Sequence, residues 1–146
     1  MSGPSLLVAN AGLAVLLLGL ILTIQLVHYP SFSDVDAASF PEFHRLHELR
    51  ISPLVGPLMV LEALAAVALV VTRPASVPAW MAWTAAGLVA LIWAATFFVS
   101  VPIHGQLHGG FDAERIAALV RTNWIRTAAW AGRSGILGLA LVRSLS

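Results

Sequence analysis

Five histidines carry most of the chemistry available to this sequence, and their spacing singles them out. His44 and His47 lie three apart, His104 and His108 four apart, and Glu48 follows His44 by four. On helices each pair shares a face and could hold one ion between its imidazoles, with Glu48 as a further ligand. His28 ends an apolar run, one turn above Gln25. Imidazole is the commonest metal ligand, so the expected metal set is His28, His44, His47, Glu48, His104 and His108. The competing reading is that these are interfacial histidines, solvated or hydrogen-bonded and holding nothing. The sequence has no cysteine, which excludes thiolate sites and disulfides. A histidine-dominated set suits a transition metal ion, copper, iron or zinc. Few carboxylates argue against a carboxylate-rich di-iron bundle, and the want of two histidines at matched depth argues against haem.

The elements that must position these side chains are oily. Of 146 residues, 59% are apolar and 10% charged, and the mean hydropathy is +0.89. Such values belong to membrane proteins. Four apolar segments, 5–27, 51–71, 79–101 and 124–142, approach the ~20 residues that cross a bilayer as helix. The first has no basic leader and no cleavage site, so it reads as a retained helix and not a secretory signal. The expected fold is all-α, an integral membrane four-helix bundle forming one domain over 1–146. Both termini then share one side, while 30–50 and 102–123 share the other with all five histidines.

PEFHRLHELR, residues 41–50, should open the second helix ahead of its span. Ser39 and Glu42 have the spacing of a capping box, with Pro41 in the first turn. Pro53 and Pro57 should kink this helix. Gly109 and Gly110 break the chain before the fourth helix, which Asp112 should cap. Helices two and four are thus expected to extend beyond the bilayer on the loop side. Thr96, Ser100, His104 and His108 form a polar ridge on helix three, while Trp80, Trp83 and Trp124 suit an interfacial belt. The basic residues of the loop side point it to the cytoplasm, the expected location being a bacterial inner membrane. The lipid bilayer is the expected partner. A net charge of +1 without lysine gives no basic patch for nucleic acid, and self-association is left open.

Further candidates line the other helices. Glu62 and Arg133 fall near mid-span, where an unpaired charge costs at least ~2.5 kcal/mol, so a mutual ion pair is the natural expectation. The alternative has Glu62 binding substrate or relaying a proton. Asn123, Arg126, Trp130 and Arg133 recur at three- and four-residue intervals as an inward stripe. The expected catalytic set is Arg126, Asn123, Glu42 and Glu62, with Glu42 as base or metal-supporting carboxylate.

The chain resembles the anthrone oxygenase-like family of small four-helix membrane proteins in length, in its four spans, in VPIHGQL after helix three and in NWIRTAAW at the start of helix four. That resemblance implies an oxygenase and brings only Asn123 and Arg126 as site residues. FHRLHE is richer in metal ligands than the family pattern. The expected function is a membrane metal-dependent oxidoreductase or oxygenase acting on an apolar small molecule. The alternative is a non-enzymatic membrane protein, a metal carrier or a partner subunit whose histidines sense pH.

Overall fold

The computed structural model describes residues 3–145, and these form four helical rods with no strand among them. The first rod is α1 (Gly3–Thr23), carried on by a π-helical turn at Ile24–His28 and a 3-10 turn at Pro30–Asp34. The second is α2 (Phe40–Thr72). The third is α3 (Ala79–Ala95), which passes through a second π-helical turn at Thr96–Ser100 into α4 (Val101–Leu107), and the fourth is α5 (Ala113–Leu145). Neighbours pack as a closed ring, α1 on α2, α2 on α3, α3 on α5 and α5 on α1. The expected four-helix bundle is present.

Three rods, Gly3–Asp34, Phe40–Thr72 and Ala79–Leu107, are long and apolar enough to cross a membrane. Their outward faces are apolar as well, with Leu26, Leu64, Val67 and Phe98 between 60% and 82% exposed. α5 differs from the expectation of a fourth such span. It matches α2 at 33 residues but carries Arg115, Arg121, Arg126, Arg133 and Arg143 with Glu114.

The helix starts follow the sequence, though one mechanism does not. α2 begins at Phe40, yet Ser39 makes no side-chain cap. The Asp36 carboxylate accepts from the backbone N–H groups of Ala38 and Ser39, and Glu42 instead accepts two bonds of 2.8 Å from Arg45. An arginine one turn away outcompetes the backbone for that carboxylate. Asp112 does cap α5, accepting from Arg115 N–H at 3.1 Å. Helix α2 runs unbroken through Pro53 and Pro57.

The core falls into two apolar clusters. One, toward the termini, is built of Leu6, Leu7, Ala14, Leu69, Met81 and Leu137, and the other, toward the histidines, of Ile21, Phe32, Phe40, Met59, Ile116 and Leu119 among others. On α2 and α5 the break between them falls at Glu62 and Arg133, both fully buried and 3.3 Å apart. Trp130 Nε1 donates to both Glu62 oxygens, and Arg133 donates to the Asn10 side chain at 2.8 Å and to its carbonyl at 3.2 Å. Asn10 in turn donates to the Ala65 carbonyl. One polar knot thereby joins α1, α2 and α5.

Breaking the knot on one side strands a buried charge. Arg133→Met or Glu62→Leu alone should destabilise the bundle by roughly 3–5 kcal/mol, whereas the double variant recovers most of that loss. Unfolding of detergent-purified protein checks this, and additive single losses would contradict it.

Candidate functional site

The histidines meet at one end of the bundle because the same local device occurs twice. In each π turn a backbone N–H reaches back five residues, Tyr29 to Ile24 and Val101 to Thr96, and in each the next residue is proline. Pro30 and Pro102 have no N–H for the carbonyl four residues earlier, and their rings crowd it. A wider turn relieves that clash and adds a residue to the helix, a common feature of functional sites. His28 and Tyr29 leave the first rod there, and His104 leaves the third.

From the second rod, His44, His47 and Glu48 reach the same space. His44 Nε2 lies 2.9 Å from His104 Nδ1, and His28 Nε2 lies 2.6 Å from His47 Nδ1. His108 Nε2 lies 2.7 Å from Glu48 Oε2, which is 3.9 Å from His44 Nδ1. Phe32 and Phe40, both fully buried, hold the rings in place. Phe32 meets His28, His44 and His47 edge-on at centroid distances of 5.4, 6.0 and 5.1 Å, and Phe40 stacks on His44.

His44, Glu48 and His108 form the group that could hold a metal ion, each with a ligand atom within 4.8 Å of the others. A tetrahedral ion with bonds of ~2.0–2.1 Å sets its ligands ~3.3 Å apart. The observed 2.7 and 3.9 Å bracket that spacing. His44 is buried, Glu48 half-buried and His108 exposed, so the group opens outward at one corner.

The other predicted ligands are close but stand outside this group. His104 lies behind His44, and its Nε2 is 3.0 Å from the Tyr29 hydroxyl. With His44 Nδ1 turned to an ion, its Nε2–H donates to His104 Nδ1, and His104 Nε2–H then donates to Tyr29. Ligating histidines commonly donate their second N–H in this way, which fixes ring orientation and tautomer. His47 and His28 form a separate pair beside the chain.

All of these rings lie beyond the bounds read for the spans, Val27, Ile51 and Val101. Burial, then the neighbouring His28 and His44, holds His47 down to about 4. Burial with His47, His44 and Arg126 beside it holds His104 down to about 3. His44 is lowered mainly by burial, against the pull of Glu48. His44, His47 and His104 are therefore neutral at pH 7, the state in which an imidazole binds metal. Burial raises the Tyr29 phenol, with Arg126 opposing, so it keeps its proton.

Beside the histidines a cavity of about 450 Å³ opens between α2 and the third rod, chiefly its π turn and α4. Val55, Met59, Trp93 and Phe97 make its apolar wall, while His47, His104, Tyr29 and Arg126 lie at its polar end. Thr96, Ser100, His104 and His108 all line it, so the ridge expected on helix three shares one face. The expected stripe Asn123, Arg126, Trp130 and Arg133 is buried throughout. Asn123 donates to Gln25 at 2.9 Å and accepts from Arg126 at 3.3 Å, tying the first rod to α5 and orienting the guanidinium.

Glu42 and Glu62 join neither the histidine head nor the cavity lining. Glu42 is 63% exposed and occupied by Arg45, and Glu62 belongs to the knot with Arg133 and Trp130. Tyr29 is the residue that spacing alone had passed over. It is the single tyrosine of the sequence, and with Gln25 and His28 it completes an i, i+3, i+4 face that was visible there.

Compared with known proteins, the chain matches no family model, no curated protein and no solved structure. The functional reading rests on this geometry.

Acid should loosen the head of metal-free protein. A histidine held below its unfolded value near 6.5 leaves the unfolded chain binding more protons, so stability declines as pH falls through 6.5 and levels off only below about 3. His104 alone should contribute a loss of about 2 kcal/mol by pH 4.5. Denaturation followed by tryptophan fluorescence at pH 7 and 4.5 tests this, with His104→Gln expected to flatten the dependence.

Proposed function

We propose that this chain is a membrane metal-dependent oxidoreductase whose ion sits in the histidine head and whose apolar substrate enters the cavity between α2 and the third rod. The observation that carries the reading is the adjacency of the two. A His44–Glu48–His108 group joins, through His104 and Tyr29, a cavity within the ~300–1,000 Å³ range of small-molecule sites. The three rods apolar enough to cross a bilayer support the membrane setting. Helices α2 and α5, at ~50 Å each, exceed a hydrocarbon core of ~30 Å and leave turns to build a head above it.

A bound copper or iron would supply one-electron chemistry, and any of the three candidate metals would supply Lewis acidity. The chain's own groups do the rest. His44 and His108 with Glu48 bind the ion, and the exposed His108 side admits it. His104 and Tyr29 pass a proton between the ion's neighbourhood and the cavity. Arg126, steadied by Asn123, orients the polar end of the substrate. The exposure of His108 also favours a second reading, in which the head takes up and releases an ion without turnover.

Detergent-purified protein loaded with copper, iron or zinc and dialysed should retain one ion per chain. His44→Ala and His108→Ala should abolish retention, and His104→Ala should weaken affinity about 10–100-fold. Unchanged metal content in all three variants would refute the proposal. Turnover of a lipophilic phenol or quinone by the loaded protein separates the enzyme from the carrier.

A further inference from the structure

Helix α5 buries two arginines seven residues apart, and only one has a protein counter-ion. Arg133 faces Glu62 at 3.3 Å. Arg126 is 6% exposed, and among the described residues no carboxylate lies within ion-pair distance of it. Its Nη1 makes long bonds of 3.5 Å to Ser100 and 3.3 Å to Asn123, its Nε has no partner, and its other company is the Trp130 ring at 5.3 Å and the Tyr29 hydroxyl. Arg133 Nε lacks a partner too, so the difference between the two is the missing anion. A buried cation served only by neutral groups is poorly compensated, and a planar guanidinium is shaped for a carboxylate.

Arg126 also lines the cavity, where it stands at the end of an apolar wall. Glu48 is the one carboxylate among the lining residues, and His108 already holds it at 2.7 Å. The ligand that completes such a site carries the missing charge on an oily body. We propose that the cavity binds an amphipathic carboxylate, its head paired with Arg126 and its apolar body lying along Val55, Met59, Trp93 and Phe97. The proposal deepens the reading above by giving the substrate a charge class. It leans on that reading only in calling the ligand a substrate, and its test uses protein freed of metal.

The carboxylate could derive from a lipid chain or from a soluble aromatic acid. Chelator-treated full-length protein in a neutral maltoside detergent is titrated with dodecanoate and 2-naphthoate, each against its neutral alcohol, dodecanol and 2-naphthalenemethanol, reading ligand-induced stabilisation. At least one acid should bind about tenfold or more tighter than its alcohol, and the tighter acid identifies the source. Arg126→Gln should erase that preference. Gly56→Leu provides a second route, because Gly56 lines the cavity and an added Cβ meets nothing within 4 Å. It should weaken binding of the favoured acid while metal content stays at the wild-type level. Equal affinity for acid and alcohol, a preference that survives in Arg126→Gln, or undiminished acid binding in Gly56→Leu overturns the proposal. A failed metal assay leaves these binding results standing, so the two ideas can fail separately.

Discussion

Polar groups inside an apolar bundle must find one another, and that constraint sets how these rods fit together. Apolar side chains pack almost as well against lipid as against a neighbouring helix, so they select no unique rotation. The buried polar contacts do. Glu62, Arg133, Trp130 and Asn10 lock α1, α2 and α5 near the middle of the rods. Gln25, Asn123 and Thr127 lock the first rod to α5 nearer the head, and Gln25 also donates to the Val120 carbonyl at 3.0 Å. The histidines form the third layer, where rods one, two and three converge.

These layers differ in what they leave unsatisfied. The Glu62–Arg133 layer matches its charges, and neither residue lines the cavity beside the histidines, which is the pattern of a structural lock. The histidine layer gathers imidazoles next to a carboxylate and opens outward at His108, and just beneath it Arg126 is left without an anion among the described residues. Function is expected where internal accounting stays incomplete. The two π turns work to the same end. By admitting one extra residue ahead of Pro30 and Pro102, they turn His28, Tyr29 and His104 into a space that regular helices would not have filled together.

Much of this was legible in the sequence, because hydropathy and helical spacing are local properties. The four helices, the shared face of Thr96, Ser100, His104 and His108, the inward stripe on α5 and the Glu62–Arg133 pairing all follow from periodicity and from the cost of burying charge. Contacts chosen among several chemically equivalent partners were not legible. Glu42 could cap a helix or bind Arg45, and only the local geometry decides for the arginine. His104 could have been a ligand or the residue behind one, and its place behind His44 depends on a π turn that composition does not announce. The grouping of His44 and Glu48 with His108, apart from the His28–His47 pair, likewise depends on how far apart the rods stand.

The central claim is that the histidine head holds a metal through His44, Glu48 and His108. X-ray absorption at the metal edge of the loaded protein tests it most directly, because imidazole leaves a multiple-scattering signature that carboxylate and water do not. The account predicts two imidazole nitrogens and at least one oxygen at ~2.0–2.1 Å from the ion, with one imidazole lost in His108→Ala. A shell of oxygen alone, or one that His108→Ala leaves unchanged, would contradict it.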